Sequence, residues 1–318
     1  MRIKYILRLL AGGGIFIFLF LQIQTLLIPK NHSLLTMDDF YQLEKDSVDI
    51  LFLGSSHVVY GVNCEIIENI TNKKTVSCAI IGQQAPVHIS YLQEILKYQH
   101  PQLLVIDIYR FRLAEPFSYP PLPDLHESTN GLKFSSIKLQ CIMENTMACD
   151  VPEFLFPVIR YHNRWAALTK TDFKYLLGKK ESSHKGFRYT DLIVPQKEYS
   201  IPVLDNRNTS VPLPEPTKSY LDRIVETAKE YDIKLLFIDL PYTHITSNDV
   251  YMYYEIEKYL TKKCAGSHVE FQYLEYNEKK EDIQLDCSND FMDYSHLNAS
   301  GADKVSTHLA NYILNHYE

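Results

Sequence analysis

Residues 48–57, reading VDILFLGSSH, constrain the fold more than any other part of this sequence. The run from Ile50 to Leu53 is apolar without alternation, which is typical of a strand buried on both faces of a parallel sheet. It stops at Gly54, and Ser55 and Ser56 follow at the point where open α/β sheets place their ligands. Because Gly and Ser are also ordinary turn residues, the segment predicts either a plain turn or a site at the carboxyl edge of a sheet.

A second motif, Asp293-Tyr294-Ser295-His296, lies close to the C-terminus, just before the last predicted helix. Among the twelve histidines of the chain, only His296 has an aspartate three positions upstream. An aspartate can hold a histidine in one tautomer and stabilise its cation, as in a triad of nucleophile, base and orienting acid. The motif therefore predicts a general base with its carboxylate, and a structural or solvated histidine is the alternative.

Taken together, Gly54-Ser55-Ser56 and Asp293-x-x-His296 resemble the SGNH (GDSL-like) hydrolase superfamily. The resemblance is strongest to its membrane-anchored, DltD-like and alginate-acetylation-like members, which act on bacterial envelope polymers. It implies a three-layer, flavodoxin-like α/β fold with a mainly parallel sheet, Ser56 as nucleophile, and Asp293 and His296 as acid and base. An α/β-hydrolase elbow is disfavoured, since G-x-S-x-G needs a glycine where Val58 stands.

The resemblance also indicates the groups that would bind an oxyanion. It assigns backbone N–H donors to Ser56 and to Gly82, which follows the second predicted strand; a plain turn at Gly82 is the alternative. The family's G-x-N-D block is missing after the third strand, where this chain has Asp107, Tyr109 and Arg110. An ionised aspartate cannot donate a hydrogen bond. Tyr109 and Arg110 are the candidates for a third donor, unless two backbone donors suffice.

The N-terminus has the pattern of a membrane anchor. Arg2, Lys4 and Arg8 precede residues 9–28, which are apolar except for Gln22 and Gln24. That length suits a membrane-spanning helix, and the basic flank predicts an N-terminus inside the cell with the remainder outside. A cleaved signal peptide is the rival, but no small-x-small cleavage site follows. We therefore predict an uncleaved anchor at residues 1–30 and a juxtamembrane connector or short helix at residues 31–45.

The remaining residues, 46–318, are predicted to form one SGNH-like domain. Buried strands alternate with helical patterns, which favours right-handed crossovers and a parallel sheet. Residues 111–216 interrupt this order and hold most of the prolines. We predict that they form an insertion or lid over the carboxyl edge of the sheet, where binding loops gather.

Four residues are candidates for substrate contact. His57 adjoins the predicted nucleophile, while Tyr161, Arg164 and Trp165, the only tryptophan, lie on a helical piece of the insertion. Flat aromatic faces and forked donors suit sugars. The alternative for the three insertion residues is an amphipathic helix packed on the core.

The net charge and the cysteines of the chain limit the classes of partner and cofactor that are expected. A formal net charge of −7 gives no electrostatic case for nucleic acid. The six cysteines form no CxxC pair and no zinc-ligand spacing, so neither a metal nor a cofactor is predicted. In an exported domain an even number of cysteines allows disulfides, and buried thiols are the alternative.

Together with the predicted anchor, the resemblance implies an extracytoplasmic serine esterase or O-acyltransferase for acyl esters, chiefly acetyl esters, of a cell-envelope glycan. Its expected partners are the acylated glycan, the membrane and, for a transferase, a membrane-bound acyltransferase. Two other functions stay open: a catalytically silent SGNH-like module that binds a polymer or scaffolds an acyltransferase, and a lipase or thioesterase that faces the membrane.

Overall fold

The computed structural model describes residues 2–112, 119–197, 212–245, 247–265 and 269–317. The proline-rich stretch at residues 116–123, which belongs to the predicted insertion, lies partly outside the described residues. The insertion is therefore described over residues 111–112, 119–197 and 212–216.

A five-stranded parallel sheet forms the centre of the described chain, in the order β2-β1-β3-β4-β5. This is the flavodoxin-like order, so the predicted α/β fold with a parallel sheet is confirmed. The strands are β1 (Ile50–Leu53), β2 (Thr75–Ser77), β3 (Leu103–Asp107), β4 (Lys234–Asp239) and β5 (Phe271–Glu275).

Helices precede, connect and follow these strands. Before β3 they are α1 (Arg2–Leu27), α2 (His32–Phe40), α3 (Ser56–Gly61), α4 (Cys64–Thr71) and α5 (Ala85–Ile95). Between β3 and β4 they are α6 (Tyr109–Arg112), α7 (Leu122–Asn130), α8 (Ser136–Asn145), α9 (Val151–Leu155), α10 (Pro157–Tyr161), α11 (Lys170–Leu176) and α12 (Glu215–Tyr231). The last two are α13 (Ser247–Ala265) and α14 (Ala299–His316). A 3₁₀ turn at His162–Ala167 joins α10 to α11.

The sheet is covered on both faces because successive strand residues point to opposite sides. In β1, Leu51 and Leu53 pack into a core with α5, α12 and α13. Ile50 and Phe52 pack into a second core with α3, α4 and α14. All four side chains are fully buried, as the unbroken apolar run of the sequence requires. The result is three layers, helices–sheet–helices.

Residues 31–45 are part of the folded domain. They hold α2, whose Leu34, Met37 and Phe40 are buried, and Met37 and Phe40 join the core on the α5 side of the sheet. Asn31 caps the helix, accepting a hydrogen bond from the Leu34 N–H at 3.1 Å. Of the two alternatives stated for this stretch, the structure has the short helix, which is packed rather than a free connector.

Helix α1 is long and apolar enough to cross a membrane. The most apolar 18-residue window of its stretch Ile3–Leu27 has a mean hydropathy of 2.1, and the rest of the chain buries none of that window. Residues 3–19 are exposed, whereas Gln24, Leu26 and Leu27 at the C-terminal end are buried against the domain. The helix therefore projects from the domain and is docked at one end.

The long connection between β3 and β4 divides into two parts. Helices α7 to α11 pack on α2, on α5 and on the C-terminal end of α1. Residues 187–196, which we call the strap, instead cross the far side of the molecule. There the Arg188 N–H donates to the Val59 carbonyl at 2.8 Å, and the Thr190 carbonyl accepts from the Ala299 N–H at 2.7 Å. The strap thus runs from α3 to the start of α14.

All six cysteines lie in the described residues, and they form no disulfide there. Five of them are buried. Burial raises the pKa of Cys64 to about 12 and that of Cys141 to about 11. Of the two alternatives stated for the cysteines, the structure has buried thiols at five positions.

Candidate active site

Ser56 is the first residue of α3, directly after the carboxyl end of β1. Gly54 is required before it by close packing: a Cβ there would lie 2.3 Å from Val58 Cγ2 and 3.1 Å from Asp107 Cβ. The Ser55 carbonyl accepts from the N–H groups of Val58 and Val59, at 3.1 and 3.2 Å, which starts the helix. The end of β1, Gly54 and the first turn of α3 therefore position Ser56 at the carboxyl edge of the sheet.

The side chains of Ser56, His296 and Asp293 form one chain of hydrogen bonds. Ser56 Oγ lies 2.8 Å from His296 Nε2. His296 Nδ1 lies 2.9 Å from Asp293 Oδ2 and 3.0 Å from Oδ1. With the Nδ1 proton donated to the carboxylate, Nε2 is left to accept the hydroxyl proton of the serine. The structure thus brings together three residues that lie 240 positions apart in the sequence.

The loop at residues 293–296 is closed at its base by backbone pairing. Phe291 and Leu297 form an antiparallel bridge, and the Met292 N–H donates to the His296 carbonyl at 3.0 Å. Thr243, just after β4, donates to the Tyr294 carbonyl from its N–H at 2.8 Å and from its hydroxyl at 3.0 Å. The loop is therefore fixed to the carboxyl edge of the sheet.

Asp293 is held in its charged form. Its Oδ1 accepts from the backbone N–H groups of Ser295, at 2.8 Å, and His296, at 2.9 Å. Burial acts to raise the pKa of Asp293, but hydrogen bonds from the Ser295 N–H and the His296 ring outweigh it, so this pKa lies below its ordinary value. A carboxylate at this position can stabilise an imidazolium at His296.

The two serines of the turn differ sharply in their surroundings. Ser55 is fully buried, and its Oγ has no hydrogen-bond partner among the described residues. Ser56 is 8% exposed and reaches His296. Only Ser56 has the geometry of a nucleophile next to a base.

Aromatic rings surround the imidazole of His296. His57 and Tyr60 lie 5.3 and 5.5 Å from it, measured between ring centroids. The Tyr109 ring stacks on His57 at 3.7 Å and meets Tyr242 edge-on at 5.8 Å. The sequence analysis missed Tyr60 and Tyr242. Their positions were the available signal: Tyr60 lies one helical turn after Ser56, and Tyr242 comes shortly after β4.

Gly82 lies in the turn after β2, which pairs with β1. It has a φ of +74°, and a Cβ there would lie 2.7 Å from Asp124 Oδ1. Gln84 Nε2 donates to the Gly82 carbonyl at 3.0 Å and to Asp124 Oδ2 at 3.2 Å. Within the described residues the Gly82 N–H has no hydrogen-bond partner. Both its conformation and its neighbour exclude a side chain here.

The stretch after β3 has no asparagine to offer and is arranged differently. Asp107 is buried, and its Oδ1 accepts from the Leu240 N–H at 3.4 Å, joining the ends of β3 and β4. The Arg110 guanidinium lies 5.8 Å from the centre of the Tyr109 ring. We call the rings of His57, Tyr60, Tyr109 and Tyr242 the aromatic group. Tyr109 thus lies at the carboxyl edge as a member of this group, and Arg110 contacts it.

The insertion residues proposed for sugar contact lie on elements that pack against α1. The Tyr161 hydroxyl accepts from Asn130 Nδ2 at 2.8 Å. Arg164 Nη1 donates to the carbonyls of Leu26, Leu27 and Ile28 at 3.1 to 3.2 Å, and Nη2 donates to Asp172 at 2.8 Å. Trp165, in the same 3₁₀ turn, is half exposed. Of the four candidates, only His57 lies beside the hydrogen-bonded side chains of Ser56, His296 and Asp293.

A buried carboxylic acid lies behind the aromatic group, and the sequence analysis missed it. Glu275 ends β5, and its Oε1 accepts from the N–H and the Nδ2 of Asn277, both at 2.7 Å. Burial, and then the charge of Asp239 at the end of β4, raise the pKa of Glu275 well above its ordinary value. Asn277 Oδ1 in turn accepts from the Tyr242 N–H at 3.0 Å. Glu275 therefore supports, through Asn277, the segment that carries Tyr242.

The strap borders this group on its open side. The Arg188 guanidinium lies 5.7 Å from the centre of the Tyr60 ring, and the Val194 N–H donates to the Phe291 carbonyl at 3.2 Å. Tyr189, Leu192, Ile193 and Val194 expose apolar surface along it. The described residues contain no group of three His, Cys, Asp or Glu side chains that could hold a metal ion. What the arrangement offers chemically is a serine hydroxyl paired with a base.

No protein-family model matches the chain, and no curated protein matches it. Among solved structures the chain is similar to an acetyl xylan esterase from the rumen bacterium Butyrivibrio proteoclasticus, with 8% sequence identity and a TM-score of 0.34. The match covers 86% of this chain and 65% of that one. The chain therefore spans slightly less than two thirds of the esterase's length, and a likeness at this level does not carry an activity over.

Proposed function

We propose that this protein is a membrane-anchored serine esterase or O-acyltransferase of the SGNH type. It acts on acyl esters, chiefly acetyl esters, of a cell-envelope glycan through an acyl intermediate on Ser56. The observation that supports this most directly is the hydrogen-bond chain from Ser56 Oγ through His296 to Asp293 at the carboxyl edge of a parallel sheet.

In the proposed reaction Ser56 Oγ attacks the ester carbonyl while its proton passes to His296 Nε2. Asp293 stabilises the imidazolium that forms. The tetrahedral intermediate then collapses: the bond to the alkoxy oxygen breaks, and that oxygen takes the proton from Nε2 and leaves as an alcohol. In the second half, His296 removes a proton from water or from a sugar hydroxyl, which attacks the acyl-serine and releases Ser56. Water as acceptor makes the protein an esterase, and a sugar makes it a transferase.

We assign two backbone N–H groups, those of Ser56 and Gly82, to the oxyanion of that intermediate. Ser56 is the first residue of α3, where an N–H has no partner within the helix. The Gly82 N–H has no hydrogen-bond partner in the described chain, and it follows the strand next to β1. One such donor is worth about 10²- to 10³-fold in kcat. Tyr109 and Arg110 remain candidates for a third donor.

The glycan assignment rests on the aromatic group and on the anchor. The rings of Tyr60 and Tyr242 lie beside the catalytic histidine and its neighbour His57, and rings of this kind suit sugar faces. Helix α1 would keep the domain next to the envelope. For a transferase, a membrane-bound acyltransferase would be the partner that supplies the acyl group.

The proposed topology places the N-terminus inside the cell and the domain outside the membrane. Arg2, Lys4 and Arg8 precede the apolar run, in agreement with the positive-inside rule. Protease added to spheroplasts should digest the domain and leave a short membrane-bound stub. Digestion that occurs only after lysis would reverse the orientation.

A lipase or thioesterase activity is the second candidate, and the strap is the observation that favours it. Its four exposed apolar side chains, Tyr189, Leu192, Ile193 and Val194, border the site and could bind an acyl chain. A series of p-nitrophenyl esters of increasing chain length separates the two. Highest kcat/KM for acetyl supports the glycan esterase, and highest kcat/KM for long chains supports the lipase.

The test of the proposed function is covalent labelling of the full-length protein in detergent with a fluorophosphonate probe. We expect labelling of the wild type, together with release of acetate from an acetylated polysaccharide. Ser55→Ala is the matched control and should be labelled as well. Absence of labelling in the folded wild type would favour a catalytically silent module.

A further inference from the structure

Six large apolar side chains are exposed around the docked end of α1, and we call them the collar. They lie in and beside α8 to α11, and their exposed fractions range from 44% to 78%: Phe134, Phe156, Ile159, Trp165, Phe173 and Leu177. Single exposed apolar residues are common on soluble proteins, but six large ones in one region of the fold call for an explanation. These side chains surround a helix that is itself apolar enough to enter a membrane.

The collar is continuous with α1. The ring of Phe156 lies 6.4 Å from that of Phe20, and the Val158 N–H donates to Gln24 Oε1 at 2.6 Å. An apolar cleft of about 400 Å³ opens between α1 and the collar, lined by Phe20, Leu21, Phe134 and Phe156 among others. Gln24 and Lys138 also line this cleft, but most of the surface between α1 and the collar is apolar.

The docked end of α1 is also held by charges. Arg164 donates to the carbonyls of its last residues, and Lys30 Nζ donates to the Thr25 carbonyl at 2.7 Å. Both cations lie near Asp172, whose Oδ1 is 2.8 Å from Arg164 Nη2 and 3.8 Å from Lys30 Nζ. These contacts satisfy carbonyls that a helix end leaves open. The collar thus has a fixed height along the helix.

The length of α1 determines how deep in a bilayer the collar lies. Lys4 and Arg8 belong at the headgroups, so the apolar span begins at Leu9. The freely exposed part, residues 9–19, is eleven residues long and spans about 16 Å at 1.5 Å per residue. The hydrocarbon core is about 30 Å thick. Only the whole stretch of residues 9–27, at about 28 Å, matches that thickness.

We propose that the collar is a membrane-contact surface that lies in the outer leaflet of the bilayer. Because the hydrocarbon core of the bilayer must extend to the end of α1, it must also reach the elements that enclose residues 20–27 of that helix. The occupant of this surface is phospholipid, whose acyl chains lie against the collar. The domain therefore rests on the membrane at a fixed height instead of hanging from a flexible tether.

Charge and composition of this region agree with a lipid partner. Residues 122–186 contain nine Lys or Arg against seven Asp or Glu, in a chain whose net charge is −7. Cations next to apolar surface pair with lipid phosphates. Trp165, the only tryptophan of the chain, lies among them, and tryptophan is enriched at membrane–water boundaries.

The single tryptophan makes the proposal directly measurable without any enzyme activity, so its failure is distinguishable from failure of the proposed function. The wild-type protein is reconstituted into phosphatidylcholine–phosphatidylglycerol vesicles that carry spin-labelled lipids at headgroup, shallow or deep acyl positions. We expect Trp165 emission to be blue-shifted and quenched most by the shallow label. Water-like emission quenched by aqueous iodide would overturn the proposal, and so would blue-shifted emission that no lipid label quenches, since a protein partner or second copy would then cover Trp165.

Tryptophan probes at other positions extend this test to the rest of the collar. In a Trp165→Phe background, Phe134→Trp and Phe173→Trp place the probe at two other collar positions. Tyr254→Trp places it on α13, which flanks β5, and serves as the control. The proposal expects lipid quenching at both collar positions and iodide quenching at the control. Lipid quenching at all three positions, or at the control alone, would contradict it.

Discussion

Aromatic side chains cluster both at the carboxyl edge and in the collar. At the edge they pack against one another, whereas in the collar they are exposed. At the edge, His57, Tyr60, Tyr109 and Tyr242 contact one another or His296, whose ring nitrogens lie within hydrogen-bond distance of Ser56 and Asp293. In the collar, large apolar side chains such as Phe134 and Leu177 project outward. The edge thus sets a hydrogen-bonded serine and histidine among aromatic rings, whereas the collar exposes its apolar side chains, as contact with an apolar medium would require.

The carboxylates of the carboxyl edge and of the collar region also differ in what they contact. Asp293 at the edge orients a histidine that faces a reactive hydroxyl. Asp172 in the collar region is 1% exposed and pairs with cations that close a helix end. Substitutions at the edge should therefore change turnover with little effect on stability, and substitutions around the docked end of α1 should do the reverse.

The largest effect is expected for Ser56→Ala. Removing the nucleophile should abolish probe labelling and lower kcat by several orders of magnitude, because the oxyanion donors alone leave only residual catalysis. Ser55→Ala is matched in size and lies one residue away, and it should keep most of the activity since the Ser55 hydroxyl bonds nothing in the described chain. The measurement is steady-state ester hydrolysis beside thermal unfolding, and the opposite ranking of the two serines would refute the assignment.

The next effect separates the base from its orienting acid. His296→Ala should lower kcat by several orders of magnitude, and Asp293→Asn by somewhat less, on the order of 10³- to 10⁴-fold. Both variants should unfold at nearly the wild-type temperature. If both lost stability yet kept their activity per folded molecule, the 293–296 loop would be a structural brace and the silent module would be the better account.

The carboxyl edge could be predicted from sequence because its parts are local. A buried strand ending in Gly-Ser-Ser and an Asp-x-x-His turn each carry their chemistry within a few residues, and parallel strands bring their carboxyl ends to one edge. Tyr242 and Glu275 escaped prediction because their roles arise only when β4 and β5 lie side by side.

The region around the end of α1 was less predictable for a related reason. Arg164 and Trp165 have the residue types of a sugar site, and the sequence favoured that role or a packed helix. In the structure Arg164 binds carbonyls some 137 positions upstream, a contact that depends on docking α1 against the turn after α10. No short-range pattern encodes that docking.

A smaller effect, on stability alone, is expected for Arg164→Met. The substitution leaves the last carbonyls of α1 and the buried Asp172 without this donor, at a cost of about 1 to 3 kcal/mol in the free energy of unfolding. Activity per folded molecule should not change. Thermal unfolding in detergent and kcat/KM on an acetylated glycan check this, and a raised KM at unchanged stability would restore Arg164 to the substrate site.

The last variant is Gly82→Ala, which tests the assigned oxyanion donor, and a second glycine provides the control. Gly82 and Gly178 share a φ of +74°, but a Cβ on Gly178 meets nothing within 4 Å, whereas one on Gly82 meets Asp124. Both alanine variants should lose about 1 to 2 kcal/mol from the left-handed backbone. Only Gly82→Ala should also lower kcat, by displacing an oxyanion donor. Equal kcat in the two variants would remove Gly82 from the site.

The most direct test of the central claim is to trap the acyl-enzyme. The full-length protein is mixed with an acetyl ester, quenched in acid during turnover, digested, and analysed by mass spectrometry. The account predicts one acetyl group on Ser56, absent from Ser56→Ala and present in Ser55→Ala. An acetyl group on another residue, or continued turnover with no acetylated peptide, would contradict it.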